Sequence, residues 1–183
     1  MGKFVPRLDS SGMYQSRYYY SDNPFFQSGY GLPNCTCYAW GRFYEISNVK
    51  PSLPLGDGGD WYPDAIAAGI YKVGQTPQLG AVACYSMAGR AGHVAIVEEI
   101  KPNGDFVISQ SNYTRPIAPY PPDTDGYFFT DVCDATSKKS AWLANFTFQG
   151  FIYNPEEPIP PTPPTPTPKK KKGMPLWMYI RYY

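Results

Sequence analysis

Bulky apolar residues recur at helical spacing through Cys35-Thr36-Cys37-Tyr38-Ala39-Trp40-Gly41-Arg42-Phe43-Tyr44-Glu45-Ile46, directly after Asn34, a residue type favoured as an N-cap. The pattern predicts a helix that Cys35 opens. A second helix is expected over Asp60-Trp61-Tyr62-Pro63-Asp64-Ala65-Ile66-Ala67-Ala68-Gly69, with Asp60 as cap, Pro63 tolerated in the first turn and Gly69 as the stop. Beyond Ile70 the period shortens to that of strands. Ala81 to Tyr85, His93 to Ile100, Asp105 to Gln110, Tyr127 to Val132 and Phe146 to Tyr153 are each bounded by Gly, Pro, Asn or Asp. Helices early and strands late indicate an α+β class. Lys101-Pro102-Asn103-Gly104 reads as a hairpin turn between the His93 and Phe106 strands, which brings His93 beside Gln110 and Asn112.

Composition narrows the picture without changing it. The chain has 183 residues, enough for one ordinary domain and a tail. A hydrophobic fraction of 43% with 17% aromatic and 17% charged residues describes a folded chain. Its 17 tyrosines suit a sugar-bearing ligand, and equally suit half-buried sheet faces. Residues 1–153 hold 11 Lys and Arg against 13 Asp and Glu, so the folded part lacks the basic face that a nucleic-acid partner requires.

The pattern breaks at Asn154. Residues 155–168 are rich in Pro and Thr and read as a stiff, extended linker after a domain over residues 1–154. Residues 169–183 follow as a basic and aromatic tail, in which Lys169, Lys170, Lys171 and Lys172 either contact an anionic surface or simply solvate the chain end. The start, Met1-Gly2-Lys3-Phe4-Val5-Pro6-Arg7, has no apolar run of the kind found in secretory signals, and no stretch is apolar enough to span a bilayer. These features predict a cytosolic monomer. Cys35, Cys37, Cys84 and Cys133 are accordingly read as thiols.

The chemistry turns on a count: the chain has a single histidine, His93. A histidine and a cysteine distant in sequence can meet in a fold, where the imidazole takes the thiol proton and leaves a nucleophile for acyl chemistry on an amide. Cys35 is the expected nucleophile. At a helix N-terminus and beside an imidazole it is expected to be a thiolate at neutral pH. Gln110 or Asn112 would orient the ring, with Asn112 preferred, and the Cys35 backbone N–H and the Asn34 side chain would face an oxyanion. Trp61, Tyr62 and Tyr113 are candidates for a substrate groove, although helix aromatics are as often core. Cys37, Cys84 and Cys133 lack the paired spacing of a zinc site and are assigned to packing, and no metal or other cofactor is expected.

Three ordered runs carry a family resemblance. Asn34-Cys35-Thr36-Cys37-Tyr38-Ala39-Trp40-Gly41-Arg42, the Gly92 to Glu98 run Gly-His-Val-Ala-Ile-Val-Glu, and Ser109-Gln110-Ser111-Asn112-Tyr113 are similar to motifs of the CHAP family, the cysteine, histidine-dependent amidohydrolases/peptidases of the papain-like superfamily. The likeness spans most of residues 20–153. It implies a papain-like fold with N-terminal helices on a mostly antiparallel sheet, and the catalytic role on Cys35, not Cys37. It also implies a peptidoglycan substrate, cut as an N-acetylmuramoyl-L-alanine amidase or as an endopeptidase, and resembles the catalytic domains of phage endolysins, which wait in the host cytoplasm for release through holin pores. A tail-associated phage lysin and a wall-binding module with weak or no turnover are the alternatives. Two departures matter: Gln110 stands where many relatives have Glu, and no Asp-rich calcium loop precedes Cys35.

Overall fold

The computed structural model describes residues 4–13, 16–113 and 127–155. The linker over 155–168 and the lysine tail fall almost wholly outside them. A 3-10 turn at Arg17–Tyr19 and three helices precede the sheet: α1 (Pro24–Gln27), α2 (Cys35–Ser47) and α3 (Trp61–Ala68). The strands are β1 (Val73–Gly74), β2 (Val82–Met87), β3 (Arg90–Ile100), β4 (Phe106–Gln110), β5 (Phe129–Cys133) and β6 (Thr147–Ile152). They form one sheet in the order β1-β6-β2-β3-β4-β5, every described pairing antiparallel. The fold is α+β.

The helix α2 begins where the pattern placed it, for a physical reason. Asn34 is extended and its Oδ1 accepts the Thr36 N–H at 2.9 Å and the Cys37 N–H at 3.5 Å, satisfying donors that a first helical turn leaves open. The end is a left-handed Asn48. Helix α3 also begins and ends close to expectation, but Asp60 makes no side-chain cap bond and itself has helical φ and ψ. The two-residue β1, the short α1 and the 3-10 turn carry too few residues for periodicity to reveal.

Sheet alternation divides the interior into two cores. Val82, Cys84, Val94, Ile96 and Ile152 pack against α2 and Trp61, whereas Ala83, Tyr85, Ala95, Val97, Ile108 and Phe151 form the opposite face with Leu143 and Trp142. Cys37 and Cys84 belong to the first core and Cys133 to the second, all as free, buried thiols.

Strand β3 is held to the helix by charge. Arg42 Nε and Nη2 each donate to the Glu98 carboxylate at 2.9 Å, and both side chains are almost wholly buried. Ser109 Oγ and the Arg7 backbone N–H complete the shell of Glu98, at 2.7 and 2.9 Å. Tyr38 donates to Ser109 Oγ at 2.8 Å, which ties α2 to β4 as well. Burial works against the Arg42 charge, yet Glu98 beside it holds its pKa above the ordinary value. Arg42 and Glu98, each at the end of a sequence motif, therefore fix α2 against β3.

Candidate active site

Register brings the third motif to the histidine. Between β3 and β4, Ile96 faces Ser109 and Val97 faces Ile108, with a register irregularity between Val97 and Glu99. His93 and Gln110 then project from the same sheet face, and His93 Nε2 lies 2.8 Å from Gln110 Oε1. With Nε2–H donated to that oxygen, Nδ1 keeps its lone pair. The orienting contact is thus made by Gln110, where the sequence favoured Asn112. The diagonal reach of a long side chain across the pair accounts for this.

Cys35 arrives from the other side of the sheet end. The backbone N–H of Asn34 donates to Ser111 Oγ at 3.1 Å, which docks the start of α2 on the chain leaving β4. The backbone amides of Val94, Thr36 and Cys35 itself act on the Cys35 sulfur in the direction that favours its thiolate. It therefore sits against the peptide that follows His93. Cys35 and His93 line one cavity of about 620 Å³, together with Asn34, Asn112 and Tyr113. Cys37 is turned into the core, its sulfur 3.6 Å from the Tyr19 carbonyl.

Electrostatics depart from expectation. Burial pushes the Cys35 thiol up to about 11, against the pull of the three amides. Burial also lowers His93 to about 4, with the Gln110 hydrogen bond opposing it only partly. Burial thus favours the neutral form of both groups, against the anticipated resting thiolate. Desolvation of two groups outweighs a helix terminus and a neutral amide. The desolvating wall is aromatic: Trp142 meets the imidazole edge-on at 4.8 Å between centroids, and Phe146 lies at 5.9 Å. Gln110 Nε2 is buried without a hydrogen-bond partner.

Two groove candidates lie elsewhere. Trp61 is fully buried, stacked on Phe25, with Nε1 donating to the Gly56 carbonyl at 3.1 Å. Tyr62 packs on Gly150 and accepts from Gln75 Nε2 at 3.3 Å. Helix α3 turns these rings toward the sheet, so neither reaches the cavity. Tyr113 does, and is 61% exposed. The structure adds Tyr30, Asp57, Arg90, Trp142 and Phe146 to the cavity wall. They come from loops and strand ends, where no periodicity marks a shared destination. Among the described residues, no group of His, Cys, Asp and Glu is arranged to hold a metal ion.

Residues 25–112 match the family model of the CHAP domain, a span that includes α2, His93 and Gln110. This stretch is a CHAP domain. Among similar proteins, a probable autolysin of Staphylococcus aureus is 39% identical over 84 residues, which cover 46% of this chain and 29% of that one. A putative hydrolase of Streptococcus mutans is 43% identical over 58 residues, covering 32% of this chain and 26% of the relative. The staphylococcal secretory antigen SsaA is 33% identical over 104 residues, 57% of this chain and 37% of its own length. The chain thus spans little more than a third, at most, of the curated relatives it matches. A crystal structure of an N-acetylmuramoyl-L-alanine amidase from Staphylococcus aureus aligns with 68% of this chain and 32% of its own, at 25% identity and a TM-score of 0.47. The match runs from ten residues before Cys35 to Asn112 and leaves Trp142 and Phe146 outside.

Proposed function

We propose that the chain is a peptidoglycan hydrolase in which Cys35 is the nucleophile and His93 the general base. The observation that carries this is the convergence of the sole imidazole, oriented through Nε2 by Gln110, and the Cys35 sulfur on one cavity. A CHAP domain and similarity to a probable autolysin support the choice of cell-wall substrate.

The chemistry follows from neutral partners. His93 Nδ1 takes the thiol proton as sulfur attacks the scissile carbonyl, so charge separation occurs only as the carbon–sulfur bond forms. The Cys35 backbone N–H and the Asn34 Nδ2, whose Oδ1 is already committed to the cap, are the donors for the developing oxyanion. The imidazolium then protonates the leaving amine as the carbon–nitrogen bond breaks. Water, deprotonated by His93, hydrolyses the acyl-thioester and returns the thiol. Gln110 holds the tautomer through both halves without adding charge.

Digestion of purified cell walls tests the reading. Wild-type chain releases soluble fragments, Cys35→Ala releases none, and Cys37→Ser releases them at the wild-type rate. Binding to walls without release by wild type would instead establish a wall-binding module. Mass spectrometry of the fragments separates an amidase, which frees muramic acid carboxyls and alanine amines, from an endopeptidase, which creates termini within the peptides.

A further inference from the structure

Asp57 belongs to the run Gly56-Asp57-Gly58-Gly59 that leads into α3. This loop lies on the start of β3, backbone against backbone. Gly59 N–H donates to the Ala91 carbonyl at 2.7 Å, and Gln149 Nε2 donates to the Gly59 carbonyl at 2.9 Å. A Cβ on Gly58 would crowd the His93 backbone, and one on Gly92, which has a positive φ of 71°, would meet Gly59. The loop is therefore placed relative to the residue that bears the imidazole.

The consequence is that Asp57, an exposed carboxylate, lines the cavity that holds Cys35 and His93. Among the described residues it makes no ion pair and no side-chain hydrogen bond. The other carboxylates near the helix are treated differently: Glu45 and Glu98 both face arginines. The field of Asp57 also opposes ionisation of the Cys35 thiol. An exposed carboxylate at the cavity mouth that makes no ion pair among the described residues suits a cation that comes with the ligand.

We propose that Asp57 is a specificity residue that receives a free primary ammonium group on the peptide portion of the substrate. This rests on the peptidoglycan hydrolase reading above and names the peptide chemistry preferred: a stem or bridge peptide with an unmodified amine.

Calorimetric titration of the full chain carrying Cys35→Ala tests the assignment without turnover. The probes are a muramoyl tetrapeptide whose only amine is a lysine side chain, its Nε-acetyl derivative, and a form with glycine on that lysine, whose only amine is the glycine terminus. The acetylated probe is expected to bind about fivefold more weakly or worse than the better amine probe. Comparison of the two amine probes tells a side-chain source from a bridge terminus. Adding Asp57→Asn removes the preference, whereas Asp64→Asn, an equal charge change outside the cavity, leaves it. Equal binding of amine and acetyl probes, a preference that survives Asp57→Asn, or no binding of any probe overturns the proposal. Wall digestion by wild-type chain reads the hydrolase separately. Wall turnover with no amine preference removes only the role of Asp57, and an amine preference with no wall turnover removes the hydrolase and leaves Asp57 a binding residue.

Discussion

Strand β3 carries two buried polar clusters five residues apart in sequence, and they are built on opposite terms. Around Glu98 the bonding capacity is filled: two arginine nitrogens, a hydroxyl and a backbone amide reach one carboxylate. Around His93 it is left incomplete: a neutral imidazole, a neutral thiol and a buried amide nitrogen with no partner share one aromatic-walled space. The first cluster locks α2 to the sheet and the second keeps atoms available for chemistry. Satisfied networks give rigidity, and under-satisfied ones sit where a substrate can complete them.

The comparison breaks most sharply at the sulfur. Cys35→Ala is expected to lower wall turnover by at least about a thousandfold while the thermal unfolding midpoint stays near wild type, since the change removes a single sulfur at the edge of the first core. The converse change is Glu98→Ala, which removes the fully buried ionic partner of Arg42 and leaves it, among the described residues, only the partly exposed Glu45. Urea unfolding should then show a loss of about 3 to 5 kcal/mol.

Acid sharpens the contrast. The ordinary imidazole value is 6.5 and that of folded His93 is about 4, so the unfolded chain binds the proton first as pH falls. Stability is therefore lost between those values, about 2 kcal/mol on going from pH 7 to pH 5. His93→Asn removes this loss, and a slope that persists in urea titrations of the variant would place the titrating group elsewhere. The Cys35 thiol adds the mirror effect in alkali: folded sulfur keeps its proton up to about 11 while the unfolded thiol ionises near 9.0, so stability falls across that window.

The smallest change probes the empty bond at Gln110. Gln110→Glu removes the unpartnered amide and sets a charge against the imidazole, which should raise the His93 pKa by about 1 to 3 units. The chain's only histidine gives one imidazole signal to follow by NMR. Activity is expected to hold or rise; a loss above about tenfold in a folded variant would falsify the orienting role of this position.

Much of this was legible in the residues. The Asn34 cap, the helix opened by Cys35, the alternation of the late strands and the turn after Ile100 all depend on neighbours in sequence, and local physical chemistry settles them. The cysteine and histidine could be named because one was unique and the other opened a predicted helix. Tertiary structure decided the rest. Trp61 went into the core and Tyr62 half-buried against it because α3 turns them toward the sheet, which periodicity over eight residues cannot specify. Gln110 and not Asn112 took the ring because the strand register puts a long side chain diagonally within reach. The environment of Cys35 and His93 was the largest surprise: helix position and an imidazole favour a thiolate, but only the folded chain buries both groups and brings Trp142 and Phe146 against the imidazole. Desolvation is a property of everything that surrounds a group, and most of what surrounds this one is distant in sequence.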